Sequence, residues 1–175
     1  MANTYTLIAS VTVGSGGASS MAFSSIPATY TDLIVKISAR GTRNNSGSQT
    51  VSLRFNSDSG ANYSNRRLYG DGSTTASDSG SGDTYGTAGY VSKTFDTANT
   101  FGSCEIYVPN YAGSTTKSYS SDGVEENNAT LAYASIVAGL WSGTAAITAI
   151  SLYASNGSFN WEQYSTATLY GIKNS

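Results

Sequence analysis

Apolar and polar residues alternate one by one along much of this chain. Leu7, Ala9, Val11 and Val13 alternate with Ile8, Ser10 and Thr12, and Leu33, Val35, Ile37 and Ala39 with Ile34, Lys36, Ser38 and Arg40. Val51, Leu53 and Phe55 repeat the pattern, as do Cys104, Ile106 and Val108, then Thr148, Ile150, Leu152 and Ala154, and last Thr166 to Ile172. A period of two is the signature of strands with one face on a core and the other in water. Turn-forming clusters separate the runs: Gly14-Ser15-Gly16-Gly17, Asn44-Asn45-Ser46-Gly47, Asp58-Ser59-Gly60 and Ser155-Asn156-Gly157. Their residues tolerate positive φ or hydrogen-bond their own backbone. Asn156-Gly157 predicts a short hairpin.

These signals predict an all-β fold: a two-sheet antiparallel sandwich of jelly-roll type, about eight strands with long Gly/Ser-rich loops. A length of 175 residues fits a single domain over 1–175. Residues 71–89, a Ser/Gly/Thr/Asp stretch, are expected to form one long exposed loop, which needs a function or a partner surface to order it. Asn128 to Trp141 is ambiguous. Its apolar residues could wind as a helix, but Ile136, Val137 and Gly139 favour a strand.

Composition narrows the chemistry. The chain has no histidine, which removes Ser-His-Asp and Cys-His catalytic groups and His-built zinc sites. Nothing else assembles an acid, a base and a nucleophile, so no enzyme and no cofactor are expected. Nine basic against 11 acidic residues give a net charge of −2, which provides no footprint for nucleic acid or an anionic membrane. Arg66-Arg67 is the one local basic spot and reads as a solvated strand end. No apolar run approaches membrane-spanning length, and Met1 to Tyr5 lacks the features of a signal peptide, so synthesis in a cytoplasm is expected.

Individual candidates thin out on inspection. Cys104 falls on an apolar phase and reads as a small core residue, since a reactive thiolate wants positive charge nearby. The glycine-rich 14–19 segment lacks the Lys and the following helix of a phosphate loop and reads as a turn. Asp71, Asp78 and Asp83 match no calcium-loop spacing, so no metal site is expected. Glu125-Glu126 offers two carboxylates, but neighbours on a strand point to opposite faces, which leaves a solvated or interface loop. The aromatics weigh more: 13 Tyr and 2 Trp against 5 Phe. Both types are enriched at interfaces. Trp141 is assigned to the core, whereas Tyr85, Tyr90, Tyr111 and Trp161 beside Gly-rich or hairpin segments are candidate contacts for a protein partner, with sugar stacking as the other use.

Three phrases carry a resemblance. They are Phe23-Ser24-Ser25-Ile26-Pro27-Ala28-Thr29-Tyr30-Thr31-Asp32-Leu33, Val108-Pro109-Asn110-Tyr111-Ala112-Gly113, and Ser165-Thr166-Ala167-Thr168-Leu169-Tyr170-Gly171-Ile172-Lys173. With them the chain resembles small virion structural proteins of marine tailed bacteriophages, over nearly its whole length. The resemblance implies a capsid decoration (cement or knob) protein or a terminal module of a tail fibre, made in the host cytoplasm and carried on the outer surface of the particle. Its motifs are structural and transfer no site residues. The expected partners are the major capsid protein or other virion proteins and further copies of the chain; a host glycan enters only under the tail-fibre alternative. A fibre tip is expected to carry an N-terminal attachment segment, and strand alternation from Leu7 leaves little room for one, so decoration is the first expectation.

Overall fold

The computed structural model describes residues 5–128 and 131–173, and these form two antiparallel sheets packed face to face. In chain order the strands are β1 Tyr5–Thr12, β2 Met21–Phe23, β3 Asp32–Gly41, β4 Thr50–Phe55, β5 Tyr63–Gly70, β6 Thr75–Asp83, β7 Gly86–Tyr90, β8 Ser92–Lys93, β9 Gly102–Pro109, β10 Lys117–Glu125, β11 Tyr133–Trp141, β12 Ile150–Ala154 and β13 Thr166–Ile172. The larger sheet runs β1-β13-β3-β9-β10-β11-β5-β6, with β8 added in parallel at the end of β3. The smaller sheet runs β2-β12-β4-β7. The all-β sandwich expected from the alternation is what forms. It contains thirteen strands among the described residues, in sheets of nine and four, where about eight were expected.

The inward phases of both sheets make one core. Leu33, Val35, Ile37 and Ala39 of β3 meet Leu53 and Phe55 of β4 and Ile150 and Leu152 of β12, all buried. Trp141 and Cys104 lie in this core, as the sequence predicts. Burial alternates strictly along β10, β11 and β12. Where β7 crosses β10, glycines bring the sheets together: a Cβ on Gly89 would stand 3.1 Å from the Cα of Gly123.

Several expectations need correction. Residues 71–89 are not one loop, because Thr75–Asp83 is the edge strand of the larger sheet and Gly86–Tyr90 the edge of the smaller. β6 is exposed on both faces along nearly its whole length, so water imposes no apolar phase on it. In β1, a bulge between Leu7 and Ala9 reverses the phase: Leu7 pairs with Tyr170 on the outer face and Ala9 with the buried Leu169. The ambiguous 128–141 stretch resolves as strand from Tyr133 onward, with residues 129–130 outside the described set. Ser155-Asn156-Gly157 does turn sharply, with φ of 45°, 57° and 79°, but joins Ala154 to Phe159 through a single bridge and not through a full hairpin. The chain then leaves for the other sheet.

Candidate interaction surfaces

Three of the four aromatic candidates belong to the interior. Trp161 is fully buried and donates its indole N–H to the carbonyl of Leu152 at 3.1 Å, while its backbone exchanges hydrogen bonds with Ala18. Tyr111 is fully buried and its hydroxyl donates to the carbonyl of Pro27. Tyr90 stacks on Tyr133 at 4.4 Å with Tyr69 edge-on at 5.7 Å, and the Arg67 guanidinium lies 4.8 Å from its ring. Burial pushes its phenol up to about 12. Loop-flanking position is a poor guide here, because Tyr90 ends β7 and turns toward Tyr133 and Tyr69 of the larger sheet, and Tyr111 and Trp161 lie in segments tied back to the sandwich by backbone hydrogen bonds. Only Tyr85 stays half-exposed, on the outer face of the smaller sheet. Arg54 lies over its ring at 3.7 Å, and Tyr153 meets it edge-on at 5.4 Å.

The charged candidates separate. Asp71 closes its own turn through the backbone N–H groups of Ser73 and Thr74, which hold its carboxyl below the usual range. Asp78 pairs with Arg67 across the strand, and Asp83 accepts a long 3.4 Å bond from Asn65. They form no common site, and among the described residues no cluster of three potential metal-ligating side chains exists. Arg66 and Arg67 sit in the middle of β5, not at a strand end, Arg66 outward and Arg67 turned to the inner side. Burial pushes the Cys104 thiol far up, which keeps it protonated and unreactive.

Glu125 and Glu126 do face opposite ways, but Glu125 is buried at 1% exposure and neither carboxyl oxygen has a partner. Burial raises it to about 8 despite the buried ion pair of Lys93 and Asp96 nearby, whose two charges act on it in opposite directions. An unpartnered buried carboxyl costs less protonated than charged, and one carboxyl does not supply the pair that glycoside hydrolysis uses.

Two features that residue-by-residue reading missed carry more weight. The first is the loop end around Arg40. This nearly buried guanidinium pairs with Glu162 at 3.0 Å and donates to the carbonyls of Asp96, Thr97 and Thr100, so it ties the 94–100 and 161–165 segments to the end of β3. The frame presents Phe95 at 56% exposure and Tyr164 at 69%. Tyr164 has φ of 72°, a left-handed conformation that costs a bulky residue on the order of 1–3 kcal/mol. It is held there by Tyr164 N–H donating to Val13 O at 3.0 Å and Ser165 N–H to Glu162 O at 3.2 Å.

The second feature is the outer face of the larger sheet. Register places Val124 beside Ala134, Ile136 between Asp122 and Leu68, and Ala138 between Ser120 and Arg66. Ile136 is 63% exposed, Leu68 57% and Val124 49%. The result is an apolar strip bordered by serines of β6 and β10. Its signal was present in the sequence: β11 is apolar on both phases, and this continuity is what made 128–141 resemble a helix.

Among the described residues no helix is long and apolar enough to cross a membrane. In comparisons with known proteins, no family model, no curated protein and no solved structure matches the chain.

Proposed function

We propose that this chain is a non-enzymatic structural protein of a tailed-phage virion, a decoration protein that docks on the assembled head. The observation that carries the reading is Tyr164: a strained, exposed ring on the Arg40–Glu162 frame that also carries the exposed Phe95. Strain persists only where the surroundings over-determine it, and it concentrates at sites that must hold a ligand in one geometry. Here it holds an aromatic anchor outward, the side-chain type that dominates protein contacts. The remaining surface is rich in Ser, Thr, Gly and Asn, and with so little charge the attachment rests on shape and apolar contact, so salt weakens it little. Binding only the assembled shell, it would stabilise that state by mass action.

A second reading, a glycan-binding module of a tail fibre, is favoured by the half-exposed Tyr85, Tyr153 and Arg54 group on the smaller sheet. Immunogold labelling of intact virions with antibody to the chain separates the two. Label spread over the heads supports decoration, label confined to the tail transfers the assignment to the fibre, and unlabelled particles overturn both. Tyr164→Gly removes the ring and the strain together. The decoration reading expects a chain at least as stable as the parent that has lost its affinity for heads.

A further inference from the structure

We propose that the outer face of β10, β11, β5 and β6 is covered by the same face of a second copy of this chain, in a two-fold dimer. The inference stands apart from the virion reading, since it concerns a different surface and is measured on the purified chain.

β11 has the composition of a strand buried on both sides, yet in the single chain Ile136 and Leu140 on its outer phase face water. The side chains around the strip are small. Ala138, Ser120, Ser77 and Ser79 leave a low surface onto which a second sheet can pack at the usual spacing of about 10 Å.

Charge identifies the occupant. Asp122 and Arg66 are exposed, and among the described residues neither has an oppositely charged partner. They flank the strip on opposite sides. Asp122 lies one strand to one side of Ile136, and Arg66 one strand to the other side of Ala138. With strands about 4.8 Å apart and two residues spanning about 7 Å, their midpoint falls on β11 between Ile136 and Ala138. A two-fold axis through that midpoint, in the plane between the facing sheets, exchanges the two positions. Each copy's Asp122 then meets the other's Arg66, and Leu68 and Ile136, both close to the axis, pack on their own counterparts. A surface whose opposite charges are interchanged by a two-fold about its own apolar centre is complementary to itself, which is the condition for a closed, isologous pair. The four strands over seven residues offer roughly 19 by 24 Å, below the ~800 Å² per partner of a standard interface, so the dimer is a weak, reversible one.

Sedimentation equilibrium from about 1 μM to about 1 mM tests this. The expected result is a reversible monomer–dimer equilibrium. Arg66→Asp alone and Asp122→Arg alone should each weaken it by about tenfold or more, and the two together should return it to within about threefold of the parent. Ile136→Ser should leave a monomer. All three positions are exposed, and circular dichroism of each variant verifies the fold. A parent chain that stays monomeric throughout overturns the proposal. So does a double variant no better than the singles, or a dimer indifferent to Ile136→Ser.

Discussion

The ring of Tyr119 lies across Gly139, its register partner on the neighbouring strand, and a Cβ at Gly139 would collide with the ring carbons. The tyrosine cannot swing aside. It is buried, edge-on to Phe55 at 5.8 Å, and its hydroxyl donates to the carbonyl of Thr87 at 3.0 Å, bridging the large sheet to β7. The missing side chain on β11 is therefore what lets the larger ring fill the space between the sheets.

Gly139→Ala is accordingly expected to lower stability by about 1–3 kcal/mol, the usual cost of overpacking a closed core. Ordinary strand preference would favour alanine over glycine, so the sign separates the two effects. Urea unfolding measures it. Replacing Tyr119 with Leu in the same chain should recover part of the loss, because the collision is removed.

Arg40 is the hub of the loop end, and removing its charge breaks the pair with Glu162 and takes its donor from the carbonyls of Asp96 and Thr100, while the Thr97 carbonyl keeps the Thr100 hydroxyl. Arg40→Met should cost about 3–5 kcal/mol, the range for breaking a buried ion pair. Arg40→Lys should recover little of this, because a single ammonium cannot reproduce the fork of contacts. Hydrogen exchange should show lost protection in residues 94–100 before the sheets are affected.

The pH dependence of stability carries the sign of Glu125. Its folded pKa is raised to about 8 by burial, against about 4.5 unfolded, so the folded state holds the proton more tightly. Its contribution is fully present below pH ~4.5 and is lost as pH rises toward ~8. Glu125→Gln keeps the shape without the ionisation. The variant should match the parent at pH 4 and exceed it at pH 9 by roughly 2–4 kcal/mol, read from denaturant midpoints across that range.

Cys104 should be inert. The folded chain should show no free thiol to an aromatic disulfide reagent at pH 8 within minutes, and one after unfolding. Rapid reaction in the native state would contradict its place in the core.

Local chemistry in the sequence determined the strands that have one wet and one dry face. Along β9, the middle of β3 and the inner phases of β4, β12 and β13 the apolar residues mark the buried face, because the core selects every second residue, although Ile34, Arg40 and Ser52 are buried against that pattern. Absence of histidine likewise excluded whole classes of catalysis without any coordinates. Tertiary structure decided the rest. In β10 the inward positions include Lys117, Ser121 and Glu125, so burial alternates where hydrophobicity does not. In β6 both faces are wet and no pattern exists to be read. Trp161, Tyr90 and Tyr111 point inward only because segments distant in the chain close over them, and Arg40 becomes a hub only when the 94–100 and 161–165 segments converge on it. The pairing of Asp122, Ile136, Leu68 and Arg66 on one face depends on strand register, which joins residues more than fifty positions apart, and no local pattern contains it.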